Sequence, residues 1–236
     1  MSDPQAPYQR AMVVVAHADD AEYGCSGTVA KWCREGIQVV YVICTDGSKG
    51  SDNLTMTSSR LARIRRREQE EAGKVLGLAN VVFLDYEDAM LQPTLELRRD
   101  ISRQIRIYRP DVVITTNPLR TLSGMAYIGH PDHMAAGEAT MAAAFPAARD
   151  RLTFPELLAE GLEPHKVREI WVQGHETPDL FVDVSETIDV AIQALKMHKS
   201  QVNLRNADRR MRQWRAGVNR HHGMKYAEAF KHFHLA

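Results

Sequence analysis

Apolar residues in this chain fall into short β-branched runs, separated by longer stretches whose apolar positions recur every three or four residues. The run at 11–16, AMVVVA, predicts a buried strand, because it is short, rich in valine and followed by polar residues. Runs at 38–44, 80–84 and 111–116 predict three more strands. Between them lie helical patterns. One covers 27–35 and closes at Gly36. A second covers 57–76, opened by Thr57-Ser58-Ser59 and ended at Gly77, and a third covers 94–108, stopped before Arg109-Pro110. Strand and helix in repeated alternation predict parallel βαβ units and an open, doubly wound sheet, an α/β domain of three layers with a mostly parallel central sheet. Downstream, 132–145 reads as an alanine-rich helix ended near Pro146, 167–173 and 180–184 as strands, and 185–201 as a helix with Ser185 at its N-cap. The stretch 121–129 reads as a loop, and 203–222 is polar with no assigned structure. No repeat, low-complexity tract or linker divides the chain, so 1–236 reads as a single domain with a flexible N-terminus at 1–10.

Composition narrows the class. Across 236 residues, 44% are hydrophobic and 25% charged, as in an ordinary soluble globular protein. Thirty basic residues balance thirty acidic ones, which gives no electrostatic reason to expect nucleic acid or an anionic membrane as partner. Three cysteines, Cys25, Cys33 and Cys44, do not make a disulfide framework and suit a reducing, cytoplasmic setting. The N-terminal residues lack the apolar core of a signal peptide, and the apolar runs are too short for a transmembrane segment.

The candidate chemistry sits where the strands end. In an open α/β sheet, ligands bind beyond the carboxyl ends of the strands. The first strand runs into His17-Ala18-Asp19-Asp20, the second into Thr45-Asp46-Gly47 and the third into Asp85-Tyr86-Glu87-Asp88. The fourth leads through a loop to His130-Pro131-Asp132-His133. Imidazoles and carboxylates suit zinc and other divalent first-row metals, and a catalytic zinc site takes three protein ligands and leaves one position open. His17 and Asp20, three apart on a tight loop, can reach one ion, and the second histidine-bearing loop supplies a third ligand. Asp19, beside these ligands, fits a carboxylate that takes a proton from the attacking water. Taken singly, either motif also reads as a solvated turn or a helix start, Pro131 and Asp132 being good first-turn residues. Their convergence on one sheet edge favours function.

His17-Ala18-Asp19-Asp20-Ala21-Glu22 with Gly27, and Gly129-His130-Pro131-Asp132-His133, resemble the paired motifs of the PIG-L/LmbE-like deacetylases. The resemblance extends to Thr45-Asp46-Gly47, to Arg65 and Glu68 with Ala72 and Leu76-Gly77, to Pro164 through Val167, and to the segments 183–185 and 198–201. It implies a Rossmann-like fold without a dinucleotide and one zinc ion per chain, held by His17, Asp20 and His133. It implies Asp19 as the general base, His130 as the group that stabilises the oxyanion and helps protonate the leaving amine, and Asp132 as the residue that orients an imidazole. Arg65 and Asp88 would contact the substrate, a small N-acylated sugar-like molecule. The family removes N-acetyl groups from glucosamine-containing lipids, thiol precursors, chitobiose-type sugars and antibiotic intermediates, related enzymes cleave amides of thiol conjugates, and members often form homo-oligomers, trimers or hexamers. Ala18 stands where many members have proline, which removes no ligand, and Ala89 stands where glycine often follows the acidic residue.

Two alternatives accompany this expectation. One is an amidase acting on a larger thiol or sugar conjugate. The other is a non-catalytic Rossmann-like ligand-binding module, which the carboxylates at 19–22 oppose, because they occupy the place of a phosphate-binding glycine loop. The arginines at 205, 209, 210, 212 and 215 around Trp214 read as a solvated helix or an oligomer contact rather than a nucleic-acid patch. The resemblance implies a structural or rim role for His198, while His165 reads as a helix- or turn-stabilising residue and Cys25 and Cys44 as small buried ones.

Overall fold

The computed structural model describes residues 7–120, 122, 128–218 and 223–235. Four parallel strands follow the apolar runs: β1 (Arg10–Val15), β2 (Gln38–Thr45), β3 (Asn80–Tyr86) and β4 (Val112–Thr116). A fifth parallel strand, β5 (Glu169–Gln173), extends the sheet beside β4. Then β6 (Leu180–Asp183) and β7 (Ala227–His234) complete the spatial order β3-β2-β1-β4-β5-β7-β6, with β7 antiparallel to both of its neighbours. The central strand is almost sealed from water, and Val13 pairs with Tyr41 on one side and Ile114 on the other.

Alternation along β1 sorts its side chains into two layers. Met12, Val14 and Ala16 pack with Leu97, Ile101 and Ile105 of α3 (Leu95–Tyr108) and with Ala135, Ala136 and Ala139 of α4 (Pro131–Ala142). Ala11, Val13 and Val15 pack with Cys25 and Val29 of α1 (Asp20–Arg34), Ala72 and Leu76 of α2 (Ser58–Leu76), and Ala194 of α6 (Ile188–Leu195). This is the expected three-layer α/β domain, with helices on both faces of a mostly parallel sheet. A short α5 (Pro155–Ala159) and a long α7 (Leu204–Val218) complete the helices of the described residues. None of these helices is long and apolar enough to cross a membrane. The three cysteines are unpaired, Cys25 and Cys44 being buried.

Several boundaries differ from the sequence reading for identifiable reasons. The first helix begins at Asp20 and not at 27, because buried Ala21, Cys25 and Val29 continue one helical stripe back into the polar motif. The expected helix 132–145 is regular only to Ala142, after which Ala143–Ala147 forms a wider turn containing Pro146. Ser185 does not cap a helix: its hydroxyl and its N–H both donate to Asp183 Oδ1, a local turn, and α6 starts at Ile188. The 203–222 stretch contains α7, with Ala207, Met211 and Arg215 at four-residue spacing on its buried side. The expected loop at 121–129, the extreme N-terminus, His221 and His222 lie wholly or largely outside the described residues.

The second motif is fixed to the sheet through α4. A Cβ at Gly137 would lie 2.3 Å from the carbonyl oxygen of Thr116, the last residue of β4. Thr116 Oγ1 in turn donates to the His133 carbonyl at 2.6 Å. Gly137→Ala gains about 0.5–1 kcal/mol of helix propensity. Overpacking against rigid backbone costs about 1–3 kcal/mol and outweighs it. The expected outcome is a lower thermal midpoint, read by circular dichroism, and an unchanged or raised midpoint would show that α4 does not need this close approach.

Candidate metal centre and active site

The strand order reverses between β1 and β4, since the chain first winds outward through β2 and β3 and then returns to the other side of β1. The crevice at the carboxyl end of this switch point is the expected ligand site of an open α/β sheet. His17, Asp19 and Asp20 arrive there directly from β1, and His130, Asp132 and His133 arrive from the loop after β4 and the first turn of α4. Each backbone segment is locally held. Asp19 adopts a left-handed conformation (φ 85°), which aspartate tolerates better than most residues, and its N–H donates to Gln69 Oε1 at 3.3 Å. The His17 N–H donates to Asp20 Oδ2 at 2.8 Å, which folds the loop back on itself.

The site draws these groups together. His133 Nε2 lies 3.0 Å from Asp20 Oδ1, and His17 Nδ1 lies 3.5 Å from Asp20 Oδ2. The rings of His17 and His133 are 5.2 Å apart and those of His17 and His130 4.8 Å apart. Among the described residues, the nitrogen atoms of His17, His130 and His133 can all lie within 4.8 Å of one another, as can donor atoms of His17, Asp88 and Asp132. The second ring nitrogen of His17, Nε2, is 3.1 Å from both Asp132 Oδ2 and Asp88 Oδ1. Asp132 is fixed in turn, accepting from the Ala89 and Leu91 N–H groups at 2.8 and 3.3 Å. A carboxylate on the far nitrogen of an imidazole sets its tautomer and ring orientation for metal binding.

His130 caps α4, its Nδ1 accepting from the Asp132 N–H at 3.1 Å. That bond commits Nδ1 to a lone pair, so the proton of the neutral ring sits on Nε2 as a donor. Asp88 and Arg65 are both buried: Arg65 Nη1 donates to the Gly47 carbonyl at 2.8 Å and lies 3.4 Å from Asp88 Oδ2, which also accepts from the Lys49 N–H. Their visible contacts are with His17 and the loop after β2.

Charge is unevenly distributed. Burial alone would favour neutral His17, but Asp132, Asp20 and Asp88 outweigh it and push its pKa up to about 12. Burial likewise opposes charge on Asp20, yet His133 and His17 hold its carboxyl well below the usual range. Asp88 is held down to about 2, burial being overcome by His17, the Lys49 N–H and Arg65. Asp19 goes the other way, up to about 7, through burial first and repulsion from Asp20 second. His130 is lowered by burial and then by His17. The carboxylates of Asp20, Asp88 and Asp132 therefore face the imidazoles, and the buried Arg65 guanidinium pairs with Asp88. This donor set fits a divalent cation: two imidazoles and a carboxylate as ligands, with further carboxylates to balance its charge.

Behind Asp19 lies a buried polar layer in which the sequence marked Glu22, within the first motif, and His198, as a structural or rim residue, but not Gln69. Glu22, Gln69 and His198 are fully buried; Gln69 Nε2 donates to Glu22 Oε1 at 3.0 Å, and His198 Nε2 is 3.2 Å from Glu22 Oε2. A signal for Gln69 exists in its four-residue spacing from Arg65 on α2, the same stripe that carries Leu61. His165 lies apart from the site, its Nε2 2.7 Å from the Pro110 carbonyl.

The chain is thus a three-layer α/β domain with an imidazole–carboxylate cluster at its switch point. The PIG-L family, described as GlcNAc-PI de-N-acetylase, matches residues 12–144, and this chain belongs to it. It is similar to a diacetylchitobiose deacetylase of Thermococcus kodakarensis, with 32% identity over 201 residues that span 85% of this chain and 73% of that protein. It is also similar to a mycothiol S-conjugate amidase of Streptomyces coelicolor, 31% identical over 62% of this chain and 55% of that protein. The solved structure of an N,N'-diacetylchitobiose deacetylase from Pyrococcus horikoshii, in complex with an inhibitor, matches with a TM-score of 0.88 and 26% identity, covering 98% of this chain and 87% of that one.

Proposed function

We propose that this protein is a zinc-dependent N-deacetylase that hydrolyses the acetamido group of a small amino-sugar compound. The observation that carries the reading is the meeting of His17, Asp20 and His133 beside Asp19 at the sheet's switch point. In this reading His17, Asp20 and His133 hold the metal. When bound, zinc supplies a Lewis acid that polarises the amide carbonyl and acidifies water.

The remaining steps belong to the chain's own groups. Asp19 accepts the proton of the attacking water, held in position by its strained backbone and the Gln69 contact. His130, a neutral ring with its Nδ1 engaged by the Asp132 N–H, presents Nε2–H toward the developing oxyanion, and the proton that Asp19 has taken from water is passed to the leaving amine. Asp132 keeps the His17 ring in register through Nε2. Arg65 and Asp88 brace the wall formed by Gly47 and Lys49, and through it the substrate side of the crevice. The products are acetate and a free amine.

Similarity to the S-conjugate amidase supports a second reading, cleavage of a larger conjugate amide on the same centre. The two separate by product. Incubation of the zinc-loaded protein with N-acetylated amino sugars and with a thiol-conjugate amide, followed by enzymatic measurement of acetate and fluorescamine measurement of amine, is expected to give equal acetate and amine from the sugars. Amine without acetate, from the conjugate alone, would replace the first reading by the second.

A further inference from the structure

A cavity of about 270 Å³ opens between the start of α1 and the inner face of α7. Val202 and Met211 contribute apolar surface to it, while Tyr23, Trp214, Asn203 and Arg210 supply rings and polar groups. It lies beside the first motif and is joined to it twice. The Tyr23 N–H donates to the Asp19 carbonyl at 3.0 Å. Gln201 Nε2 donates to the Ala18 carbonyl at 3.0 Å, which ties the segment entering the cavity wall to the His17–Asp20 loop. Burial and the Asp19 carboxylate raise the Tyr23 phenol's pKa and Arg210 lowers it, so that side chain sits in the field of both groups.

The two aromatic rings are unusually open to solvent, Tyr23 at 38% and Trp214 at 49%. Trp214 is nonetheless supported. The Arg215 guanidinium lies 4.6 Å from its ring centroid and is itself anchored by the Tyr23 carbonyl at 2.6 Å and Glu228 at 2.9 Å. One face of the indole is thus occupied by a fixed cation, and stacking by a ligand falls to the other. Among the described residues Arg210 has no hydrogen-bond or ion-pair partner. Exposed aromatic faces beside an amide and an unpaired guanidinium match the two surfaces of a pyranose, its C–H face and its hydroxyl edge. The volume is just below the ~300–1,000 Å³ of pockets for drug-sized ligands. It suits one ring rather than a long chain.

We propose that this cavity is a subsite for the second sugar ring of a neutral oligosaccharide whose acetamido-bearing ring occupies the His17–Asp19 crevice. The assignment rests on the deacetylase reading for the first ring, and on the cavity's own residues for the second. Binding contributed by the second ring would be spent on holding the first in its reactive pose.

The test compares wild type with Trp214→Ala and Trp214→Phe in two measurements. The first is kcat/KM for N,N'-diacetylchitobiose relative to N-acetylglucosamine. The second is calorimetric binding of cellobiose, a neutral disaccharide with no amide to cleave, which does not depend on turnover. Loss of one stacking ring is expected to lower the disaccharide preference and the cellobiose affinity each by about tenfold, roughly 1.4 kcal/mol. Phenylalanine should restore most of both. Wild type that turns over neither sugar, yet binds cellobiose in a Trp214-dependent way, would leave the subsite standing while removing the deacetylase reading. Wild type that does not bind cellobiose, or a Trp214→Ala variant with unchanged preference and affinity, overturns the subsite. Wild type that binds an anionic monosaccharide through Arg210 and not cellobiose also overturns it, in favour of an acidic ligand.

Discussion

Asparagine in place of Asp19 is expected to lower kcat for acetamide hydrolysis by about 10²–10⁴-fold, the usual contribution of a positioned proton acceptor. The substitution is nearly isosteric, and asparagine tolerates the left-handed backbone that residue 19 adopts, so the loop keeps its shape. The N–H contact to Gln69 and the carbonyl contact to the Tyr23 N–H are main-chain and persist. Metal content should therefore stay at the wild-type value, because the proposed ligands are untouched. The check is a steady-state assay beside elemental analysis on the same sample. An Asp19→Asn variant that keeps full activity would move the role of base to another residue.

The second large effect is expected at His133. His133→Ala removes the imidazole 3.0 Å from Asp20 Oδ1 and leaves that carboxylate without its strongest neighbour. Loss of an outer-shell partner lowers metal affinity by about 10–100-fold, and loss of a ligand should exceed that. The variant is expected to purify without metal and without activity, yet with a normal circular dichroism spectrum. Its side chain is partly exposed, and α4 is held to β4 by the His133 carbonyl, which alanine retains. A metal-replete His133→Ala protein would instead point to the other cluster of donor atoms, His17 with Asp88 and Asp132.

Much of this arrangement is legible in the chain. Strand β1 is readable because a run of buried valines admits few other structures, and α2 and α3 because Thr57 and Thr94 cap them by accepting from Arg60 and Leu97 N–H groups. The convergence of the two histidine motifs follows from chain order alone, once β1 and β4 are neighbours. What was hidden depended on buried polar groups. Strand β7 carries Glu228, fully buried because it accepts from the Gly27 and Thr28 N–H groups and pairs with Arg215. In sequence such a glutamate reads as solvent-facing and breaks the strand pattern. The same pairing conceals α7, whose buried stripe includes an arginine. Arg65 and Asp88 show the limit at the site: the motif marks them, but only the fold reveals that their charges face each other and His17.

The central claim is that acetamide hydrolysis depends on a metal at the His17–Asp20–His133 cluster, and acetate release from N,N'-diacetylchitobiose by one preparation before chelation, after chelation and after zinc is restored tests it most directly. The account predicts acetate and free amine in equal amounts at the start, neither after the metal is stripped, and recovery of both with zinc. Acetate release that continues at full rate from metal-free protein, or that never appears in protein carrying zinc, would contradict it.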